Sequence, residues 1–317
     1  MSDVRVAVLD DYQGVAASMA DWAGRLPGAE VSFFREHIAD PAVLVTALEP
    51  FDVVVAMRER TPFPHAVLAR LPRLRLLVTT GMRNASIDLA AARELGVVVA
   101  GTRGRPGGTS ELTWALILGL VRDVAADDAR IRAGRWQESL ALDLDGRTLG
   151  IVGLGRLGSR VARVGLAFGM NVVAWSPNLT AERAAEQGVT LATRESLFAS
   201  ADIVTVHVVL SDRSRGLVGE TELRAMKPSA FLVNTSRAGL IDQDALARAL
   251  REGWIAGAGL DVFDIEPLPA DHWTRTTPRT LLSPHMGYVS EGGYRVFYTD
   301  AVENIVAFLD GSPVRTL

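Results

Sequence analysis

The 317-residue sequence contains no cysteine, which excludes disulfide bonds, a thiolate nucleophile and any thiolate metal site. It also lacks an excess of basic residues, because 33 Lys and Arg stand against 37 Asp and Glu, for a net charge of −4. Without a strongly positive field, nucleic acid is not an expected partner. The Asp, Glu and His residues show no metal-ligand spacing, so no metal site is expected either.

Long hydrophobic runs are absent as well. The longest near-continuous apolar run, Leu112–Val121, is shorter than the roughly 20 residues of a membrane-spanning helix. Charged residues interrupt each early apolar run, so no secretion signal is expected at the N-terminus. The composition, 48% hydrophobic and 22% charged, is typical of a globular protein, and the length suits roughly two domains. We therefore expect a cytoplasmic protein without a membrane partner.

The clearest pattern in the chain is a complete strand–helix–strand unit between Thr148 and Ser176. Leu149–Val152 is predicted to form a buried strand, and Val172–Trp175 a second one. Between them, apolar residues at helical spacing predict a helix over Arg156–Phe168, with an apolar stripe of Leu157, Val161, Val164 and Phe168. The turn before this helix carries G-x-G-x-x-G where a Rossmann βαβ unit has it.

The three glycines of this turn have separate tasks. Gly153 permits the tight turn, Gly155 lets the backbone approach a pyrophosphate, and Gly158 lets the helix pack closely on the strand. The N–H groups at the helix N-terminus, around Arg156 and Leu157, suit the phosphates of a cofactor. The sequence therefore predicts a dinucleotide site. The alternative is a glycine-rich turn in an ordinary α/β protein.

Strands and helices alternate on both sides of this unit, which predicts parallel sheets. Further strands are expected at Val4–Leu9, Val31–Phe34, Val53–Met57, Leu76–Thr79, Val97–Val99, Ile203–Val206, Phe231–Val233, Ala256–Leu260 and Leu281–Leu282. Further helices are expected at Ala42–Leu48, Leu89–Leu95, Glu195–Phe198, Glu220–Met226, Asp242–Arg251 and Val289–Leu309. Gly101–Gly108 is the best linker candidate, because its Gly and Pro residues break regular structure.

One long helix is predicted over Thr109–Ala133. Its first half, Leu112–Val121, is apolar nearly all round and is expected to be buried, whereas its second half is charged. So apolar a helix fits a subunit interface and fits burial between two domains of one chain equally well.

Three chemically capable side chains follow three of the predicted strands. Arg237 comes after the strand at Phe231, Glu266 after the strand at Ala256, and His285 after the strand at Leu281. Because ligands of an open α/β sheet bind beyond the carboxyl ends of its strands, we expect all three at one rim. Each alone is more simply explained as a solvated or structural residue. Together, beside a dinucleotide site, they form a candidate active site.

Their chemistry fits the reduction of a carbonyl group. Hydride addition to the carbonyl carbon leaves charge on oxygen, and a proton must follow; His285 is suited to donate it near neutral pH. A carboxylate such as Glu266 favours the charged imidazole and raises its pKa. The guanidinium of Arg237 can bind a substrate carboxylate through two parallel hydrogen bonds and polarise the carbonyl.

The motifs G-L-G-R-L-G, N-T-S-R, L-D-V-F-D-I-E-P-L-P and S-P-H, in this order, resemble the D-isomer-specific 2-hydroxyacid dehydrogenases over nearly the full chain. The resemblance implies an NAD(P)-dependent oxidoreductase that interconverts a small-molecule 2-oxo acid and a D-2-hydroxy acid. It implies that Arg237 binds the substrate, that Glu266 pairs with His285, and that His285 is the acid/base.

Further site residues are implied by the same resemblance. Asp261 would hold the nicotinamide carboxamide, while Thr109 and the loop from His207 would line the cofactor. Thr79–Asn84 looks like the family's glycine-containing substrate loop. Within it, the backbone N–H groups expected to hold the substrate carboxylate are those around Met82, Arg83 and Asn84.

The resemblance also implies the architecture: two Rossmann-like, doubly wound parallel-sheet α/β domains with an active-site cleft between them. Residues 1–101 and 288–317 would form a discontinuous substrate-binding (catalytic) domain, and residues 102–287 the dinucleotide-binding domain. Members are typically dimeric through the helix that corresponds to Thr109–Ala133, so a homodimer is expected.

Several positions call for separate expectations. Ser176 stands where an acidic residue would bind the adenosine ribose and favour NAD, so NAD and NADP are both expected, with weak discrimination. Arg58 follows the third strand and either contacts the distal end of a substrate or lies in a solvated loop. The remaining histidines have no partner motif and are expected to be structural or exposed: His37, His65 and His272.

Two alternatives to this function stay open at the level of sequence. A phosphite-type dehydrogenase of the same superfamily is not excluded by these motifs, whereas Glu266 argues against a formate enzyme, which has an amide there. An NAD(H)-sensing, corepressor-like binding protein would share the fold and even these residues.

Overall fold

A computed structural model describes residues 4–105 and 107–317. The chain divides into two compact units, Met1–Arg105 with Ser290–Leu317, and Pro106–Val289. Each unit is built around a parallel sheet flanked by helices, as predicted. Within the described part of the chain, no helix is long and apolar enough to cross a membrane.

The first unit contains a five-stranded parallel sheet. Its strands are Arg5–Val8 (β1), Glu30–Phe33 (β2), Val53–Ala56 (β3), Leu76–Thr79 (β4) and Val98–Gly101 (β5), in the order β2-β1-β3-β4-β5. Its first helices are Ala16–Met19 (α1), Trp22–Arg25 (α2), Pro41–Leu48 (α3), His65–Leu68 (α4) and Leu89–Glu94 (α5). β3 and β4 are buried along their whole length, which explains their continuous apolar sequences.

The second unit contains a seven-stranded parallel sheet. Its strands are Thr148–Val152 (β6), Asn171–Trp175 (β7), Thr190–Leu191 (β8), Ile203–Val206 (β9), Phe231–Asn234 (β10), Gly257–Leu260 (β11) and Thr280–Leu282 (β12), in the order β12-β11-β10-β9-β6-β7-β8. Its helices are Gly107–Val121 (α6), Val124–Arg132 (α7), Arg156–Ala167 (α8), Ala181–Ala185 (α9), Arg194–Ser200 (α10), Glu220–Ala225 (α11) and Gln243–Glu252 (α12). The chain then returns to the first unit with Glu291–Leu309 (α13).

The register of three neighbouring strands brings their carboxyl ends side by side. Asn234 at the end of β10 pairs with Leu260 at the end of β11, and Leu260 pairs with Leu282 at the end of β12. The segments that follow these strands therefore start at one edge of the sheet. This edge is where ligands of parallel sheets bind.

The prediction of a single helix over Thr109–Ala133 is wrong. The structure has two helices, α6 and α7, separated at Asp123, which adopts a left-handed φ of 51°. The backbone N–H of Leu142 donates to the carbonyl of Val121 at 2.9 Å, so this carbonyl has a partner outside the helix. The side chain of Asp123 in turn accepts from Arg130 at 2.7 Å, which holds the start of α7.

The predicted linker is shorter than Gly101–Gly108. Gly101 still belongs to β5 and α6 already begins at Gly107, so the irregular stretch is residues 102–105. Pro106 lies outside the described residues.

The helix predicted over Arg156–Phe168 is confirmed as α8, Arg156–Ala167, but its apolar stripe is only partly buried. Of the four predicted residues only Val161 is fully buried, whereas Val164 and Phe168 are 38% and 41% exposed. The buried face instead consists of Gly158, Val161, Ala162 and Gly165. A Cβ at residue 165 would lie 2.8 Å from the Leu149 side chain, so small residues permit close packing of α8 on β6.

Candidate active site

The glycine turn after β6 has the geometry of a phosphate-binding turn. Gly153 has a φ of +105°, which favours glycine, and a Cβ there would meet the backbone of His207 at 2.9 Å. A Cβ at residue 158 would lie 2.1 Å from the Gly153 carbonyl oxygen, so α8 approaches the turn too closely for any side chain.

Gly155 differs from the other two glycines of the turn. A Cβ at this position would have no atom within 4 Å, although Gly155 has an ordinary φ of −90°. The side of Gly155 on which a Cβ would stand is therefore open space, next to the N-terminus of α8. Among the described residues no side chain caps this N-terminus, so its N–H groups are available to an anion.

Ser176 directly follows β7 and is half-buried. Its carbonyl oxygen accepts a hydrogen bond from Leu179 N at 3.1 Å, which turns the chain toward α9. No carboxylate stands at this strand end. The nearest downstream arginine, Arg183, is exposed on α9.

His207 follows β9 at the same edge of the sheet. Its Nε2 lies 3.0 Å from the Thr205 hydroxyl, and its Nδ1 is buried without a hydrogen-bond partner in the described structure. Burial lowers the pKa of the His207 imidazole to about 4, so the ring is neutral near pH 7. The His207 backbone lies against Gly153 of the glycine turn, and a buried polar atom without a partner there fits a bound group that supplies the missing hydrogen bond.

Asp261 lies immediately after β11 and is fully buried. Its two carboxylate oxygens accept backbone N–H groups of Met286 at 2.7 Å and Gly287 at 2.9 Å. Burial raises the pKa of the Asp261 carboxyl, and a hydrogen bond with the Ser283 side chain, the two backbone hydrogen bonds and the charge of His285 oppose that rise. Thr109 donates its hydroxyl to the Gly287 carbonyl at 2.8 Å. Asp261 and Thr109 therefore hold the chain segment that directly follows His285.

His285 and Glu266 lie in contact. The Nδ1 atom of His285 is 2.6 Å from Oε2 of Glu266, and the two side chains are 18% and 21% exposed. The other carboxylate oxygen of Glu266 accepts the backbone N–H of Phe263 at 2.9 Å. His285 has a left-handed φ of +54°, and its ring lies edge-on to Tyr288. A non-glycine residue in this conformation is uncommon and often marks a functional site.

Arg237 is held by the turn that follows β10. The Asn234 side chain donates to the Arg237 carbonyl at 2.9 Å and accepts from Ser236 N at 3.0 Å. The Ser236 hydroxyl donates to the Val206 carbonyl at 2.7 Å, which ties the turn to β9. Arg237 Nη1 donates to the Ser236 carbonyl at 2.7 Å, and the side chain stays partly exposed.

The first unit carries the predicted loop after β4, Thr79–Asn84. Gly81 has a φ of +95° and its N–H donates to the Thr102 hydroxyl at 2.8 Å. The Asn84 side chain is buried and donates to the Arg58 carbonyl at 2.5 Å and to the Thr79 hydroxyl at 2.9 Å. Its amide therefore shapes the loop, while the side chains of Met82 and Arg83 are exposed.

Arg58 is part of the same loop structure. Its backbone N–H donates to the Thr80 hydroxyl at 2.9 Å, and its Nη1 to the Thr80 carbonyl at 3.2 Å. A Cβ at Gly81 would lie 2.1 Å from this Nη1. The guanidinium thus lies on the glycine of the loop.

Two interactions have no counterpart among the sequence-based expectations. Thr102, the first residue of the irregular stretch, holds Gly81 through its hydroxyl. His272, for which no partner is expected, has its Nε2 at 2.9 Å from Asp264. Both contacts depend on how loops fold back, and no periodic pattern in the sequence signals them.

No group of three or more His, Asp or Glu side chains that could hold a metal ion occurs within residues 4–105 and 107–317.

The matched family and relatives agree with this geometry. Residues 114–287 match the model of the D-isomer specific 2-hydroxyacid dehydrogenase, NAD binding domain. Glyoxylate reductase of Aeropyrum pernix is 40% identical over 255 residues, which cover 77% of this chain and 76% of that protein. Glyoxylate reductase of Korarchaeum cryptofilum is 35% identical over 276 residues, or 85% and 83% of the two chains.

A solved structure extends the similarity to the whole fold. The phosphoglycerate oxidoreductase from Vibrio cholerae o395 superposes with a TM-score of 0.93 at 37% identity, over 97% of this chain and 99% of that one. The fold and site thus define a Rossmann-type oxidoreductase with an NAD-binding domain. The chain belongs to the D-isomer-specific 2-hydroxyacid dehydrogenase family.

Proposed function

We propose that the protein reduces a 2-oxo acid to a D-2-hydroxy acid with NADH or NADPH, and catalyses the reverse oxidation. In this proposal His285 is the acid/base, Glu266 its partner and Arg237 the residue that binds the substrate. The overall reaction consumes the 2-oxo acid, one reduced cofactor and one proton, and yields the hydroxy acid and the oxidised cofactor.

The observation that carries the proposal is the 2.6 Å contact between His285 Nδ1 and Glu266 Oε2. With Nδ1 hydrogen-bonded to the carboxylate, Nε2 is the ring nitrogen that exchanges a proton with the substrate oxygen. The carboxylate orients the ring and stabilises the positive charge that the ring carries when it holds the proton to be donated. Phe263 N holds the second oxygen of Glu266, so the carboxylate has a fixed orientation toward the ring.

Arg237 is proposed to bind the substrate carboxylate and polarise the carbonyl to be reduced. It follows β10, the neighbour of β11, and β11 is the neighbour of β12, so the segments carrying Arg237, Glu266 and His285 follow consecutive strands. A guanidinium offers paired N–H donors to a carboxylate and stabilises the negative charge that develops on the carbonyl oxygen.

The cofactor is proposed to bind along the carboxyl edge of the second sheet. Gly153, Gly155 and Gly158, with Arg156 and Leu157 at the start of α8, would contact the pyrophosphate. When bound, the reduced nicotinamide supplies the hydride. The open space at Gly155 and the buried Nδ1 of His207 support this placement.

The two ends of the cofactor are proposed to meet different residues. Ser176 would face the adenosine ribose. Its hydroxyl can form a hydrogen bond with the ribose of NAD or with the 2′-phosphorylated ribose of NADP. Thr109 and Asp261 would lie at the nicotinamide, where Asp261 would accept from the carboxamide. Asp261 accepts backbone N–H groups of Met286 and Gly287 and also hydrogen-bonds the Ser283 side chain. A carboxylate has about four acceptor positions, which leaves one for the carboxamide.

In the first unit we propose that the loop Thr79–Asn84 binds the substrate carboxylate through backbone N–H groups of Met82, Arg83 and Asn84. Arg58, which lies on Gly81, would contact the distal part of the substrate. Accordingly we assign substrate binding to residues 1–101 with 288–317, and cofactor binding to residues 102–287. Thr102, which holds Gly81, would keep the loop in shape.

We also propose that the protein is a homodimer in which the α6–α7 region forms the interface. Four large apolar side chains between residues 124 and 140 are strongly exposed: Val124 by 57%, Ile131 by 54%, Trp136 by 72% and Leu140 completely. So concentrated an exposed apolar surface favours burial against a second copy.

A substrate screen tests the proposed reaction. Glyoxylate, hydroxypyruvate, pyruvate and bulkier 2-oxo acids are each supplied with NADH and with NADPH, and oxidation of the reduced cofactor is followed by its absorbance. The reverse reaction is run with D- and L-enantiomers of each active hydroxy acid, and only D-isomers should be oxidised. Oxidation of phosphite without reduction of any 2-oxo acid, or cofactor binding without any turnover, would contradict the proposal.

A further inference from the structure

We propose that His272 is a positioning residue for the Glu266–His285 pair. Its imidazole holds the start of the turn Phe263–Glu266, and this turn orients the carboxylate of Glu266. The inference rests on the proposed function, because it concerns how the acid/base of that reaction is held.

The imidazole of His272 is 7% exposed and both of its nitrogens have partners. Nδ1 lies 2.9 Å from the Thr274 hydroxyl and accepts the Thr274 backbone N–H at 3.4 Å. Nε2 lies 2.9 Å from Oδ1 of Asp264. Because a ring nitrogen that accepts a backbone N–H carries no proton, we assign the neutral ring's proton to Nε2, which donates it to Asp264.

His272 also contacts the residue before Asp264. Its ring and that of Phe263 are edge-on, with centroids 6.3 Å apart. The backbone N–H of Phe263 is the group that donates to Oε1 of Glu266, whose Oε2 lies 2.6 Å from His285. An unbroken series of contacts therefore runs from His272 through Phe263 and Glu266 to the acid/base.

The position of His272 is itself well determined. Its backbone N–H donates to the Pro269 carbonyl at 3.2 Å, and its ring lies against that of Trp273 at 5.7 Å. Trp273 packs against the apolar core of the second unit. Arg275 donates to the carbonyls of Leu268 and Pro269 at 2.7 Å each. The segment that carries His272 is thus anchored independently of the turn that it holds.

The turn would be less constrained without this contact. The side chains of Asp264 and Ile265 are 46% and 56% exposed, so burial does little to fix these two residues, whereas Phe263 before them packs against the apolar core. A shift of about 1 Å in a supporting group can lower the rate about 100-fold. Loss of His272 should therefore weaken catalysis more than substrate or cofactor binding.

The test compares His272→Ala with His272→Gln, whose side-chain amide can still donate to Asp264. In the reductive direction we expect His272→Ala to lower kcat about 10- to 100-fold, with KM for the substrate and the cofactor nearly unchanged. His272→Gln should restore most of kcat.

Two further variants keep the test decisive. Asp264→Ala should reproduce the effect of His272→Ala, and the double variant should be no worse than either, since both break one interaction. If His272→Ala does not fold, Asp264→Ala and His272→Gln carry the comparison. His65→Ala, in an exposed position of α4, is the control and should match wild type.

The contradicting outcomes separate this inference from the proposed function. A His272→Ala enzyme with wild-type kcat, beside a His285→Ala enzyme whose kcat falls as expected, would overturn the positioning role alone. Equal losses of kcat in His272→Ala and His272→Gln would show a merely structural role. A wild-type enzyme that reduces no 2-oxo acid would overturn the proposed function itself.

Discussion

The imidazole of His285 and the carboxylate of Glu266 meet at 2.6 Å, although they follow different strands and are 19 residues apart in sequence. The register of β11 and β12 explains the meeting, because Leu260 and Leu282 are direct partners at the strand ends. A contact set by the register of neighbouring strands is well suited to an acid/base, whose orientation determines the rate.

Replacing Glu266 by Gln should lower kcat for reduction about 10-fold or more, while KM for the cofactor stays nearly unchanged. The Glu266 carboxylate lies 2.6 Å from Nδ1 of His285 and stabilises the positive charge of the ring that donates the proton, whereas a neutral amide stabilises it less. The measurement is a steady-state comparison of both enzymes with the reduced cofactor. A Glu266→Gln enzyme with wild-type kcat would show that the carboxylate does not support the proton donor.

Two glycines of the phosphate turn should respond in opposite ways to alanine. Gly155→Ala places a methyl group in open space, so the free energy of unfolding should hardly change while KM for the cofactor rises about 10-fold or more. Gly158→Ala brings a methyl group to 2.1 Å from a carbonyl oxygen and should cost about 1–3 kcal/mol of stability. Urea unfolding and cofactor titration measure the two effects. A Gly155→Ala enzyme with wild-type cofactor affinity would contradict the proposed binding of the pyrophosphate at Gly155.

Ser176 should give weak discrimination between the cofactors. A hydroxyl at the end of β7 neither binds the ribose as a carboxylate does nor repels a 2′-phosphate, and we expect kcat/KM for NADH and NADPH to differ by less than roughly 100-fold, about 2.7 kcal/mol. Ser176→Asp should raise KM for NADPH selectively, whereas the uncharged Ser176→Asn should not. A wild-type preference of about a thousandfold or more would mean that another residue selects the cofactor.

The exposed apolar surface at residues 124–140 predicts the effect of charge on assembly. Trp136→Glu or Leu140→Glu should raise the dimer dissociation constant about 10-fold or more, because a buried interface Trp commonly contributes about 2 kcal/mol or more. Light scattering over a dilution series measures this change. Val43→Glu adds the same charge at a 56% exposed position of α3 and should leave assembly unchanged. A monomeric wild-type protein would refute this interface. So would an increase in the dimer dissociation constant of all three variants.

Most of the sheet architecture can be predicted from the sequence because buried parallel strands are nearly pure apolar runs. Leu76–Thr79 and Ile203–Val206 begin and end where the sequence predicts. Short elements give no such signal: α1, α2 and α4 have four residues each, too few for a helical period. The break at Asp123 cannot be predicted either, since it contains no Gly or Pro and involves a hydrogen bond from the distant Leu142.

The candidate site also contains residues that the sequence predicts and residues that it does not. Arg237, Glu266 and His285 are recognisable because each follows a predicted strand, and a parallel sheet collects such residues at one edge. The contact of His272 with Asp264 links two positions of one irregular loop, where spacing carries no information about distance. The buried face of α8 escapes prediction for a different reason: its close packing selects Gly158, Ala162 and Gly165, whereas hydrophobicity draws attention to larger residues.

The most direct test of the proposed mechanism is to measure kcat of the His285→Ala enzyme in the reductive direction, with cofactor affinity measured on the same preparation. Removing a general acid should lower kcat by ~10²–10⁴. Cofactor affinity should stay within a few-fold of wild type, because the pyrophosphate turn at Gly153–Gly158 is intact. A His285→Ala enzyme that keeps near wild-type kcat would exclude His285 as the proton donor and contradict the proposed mechanism.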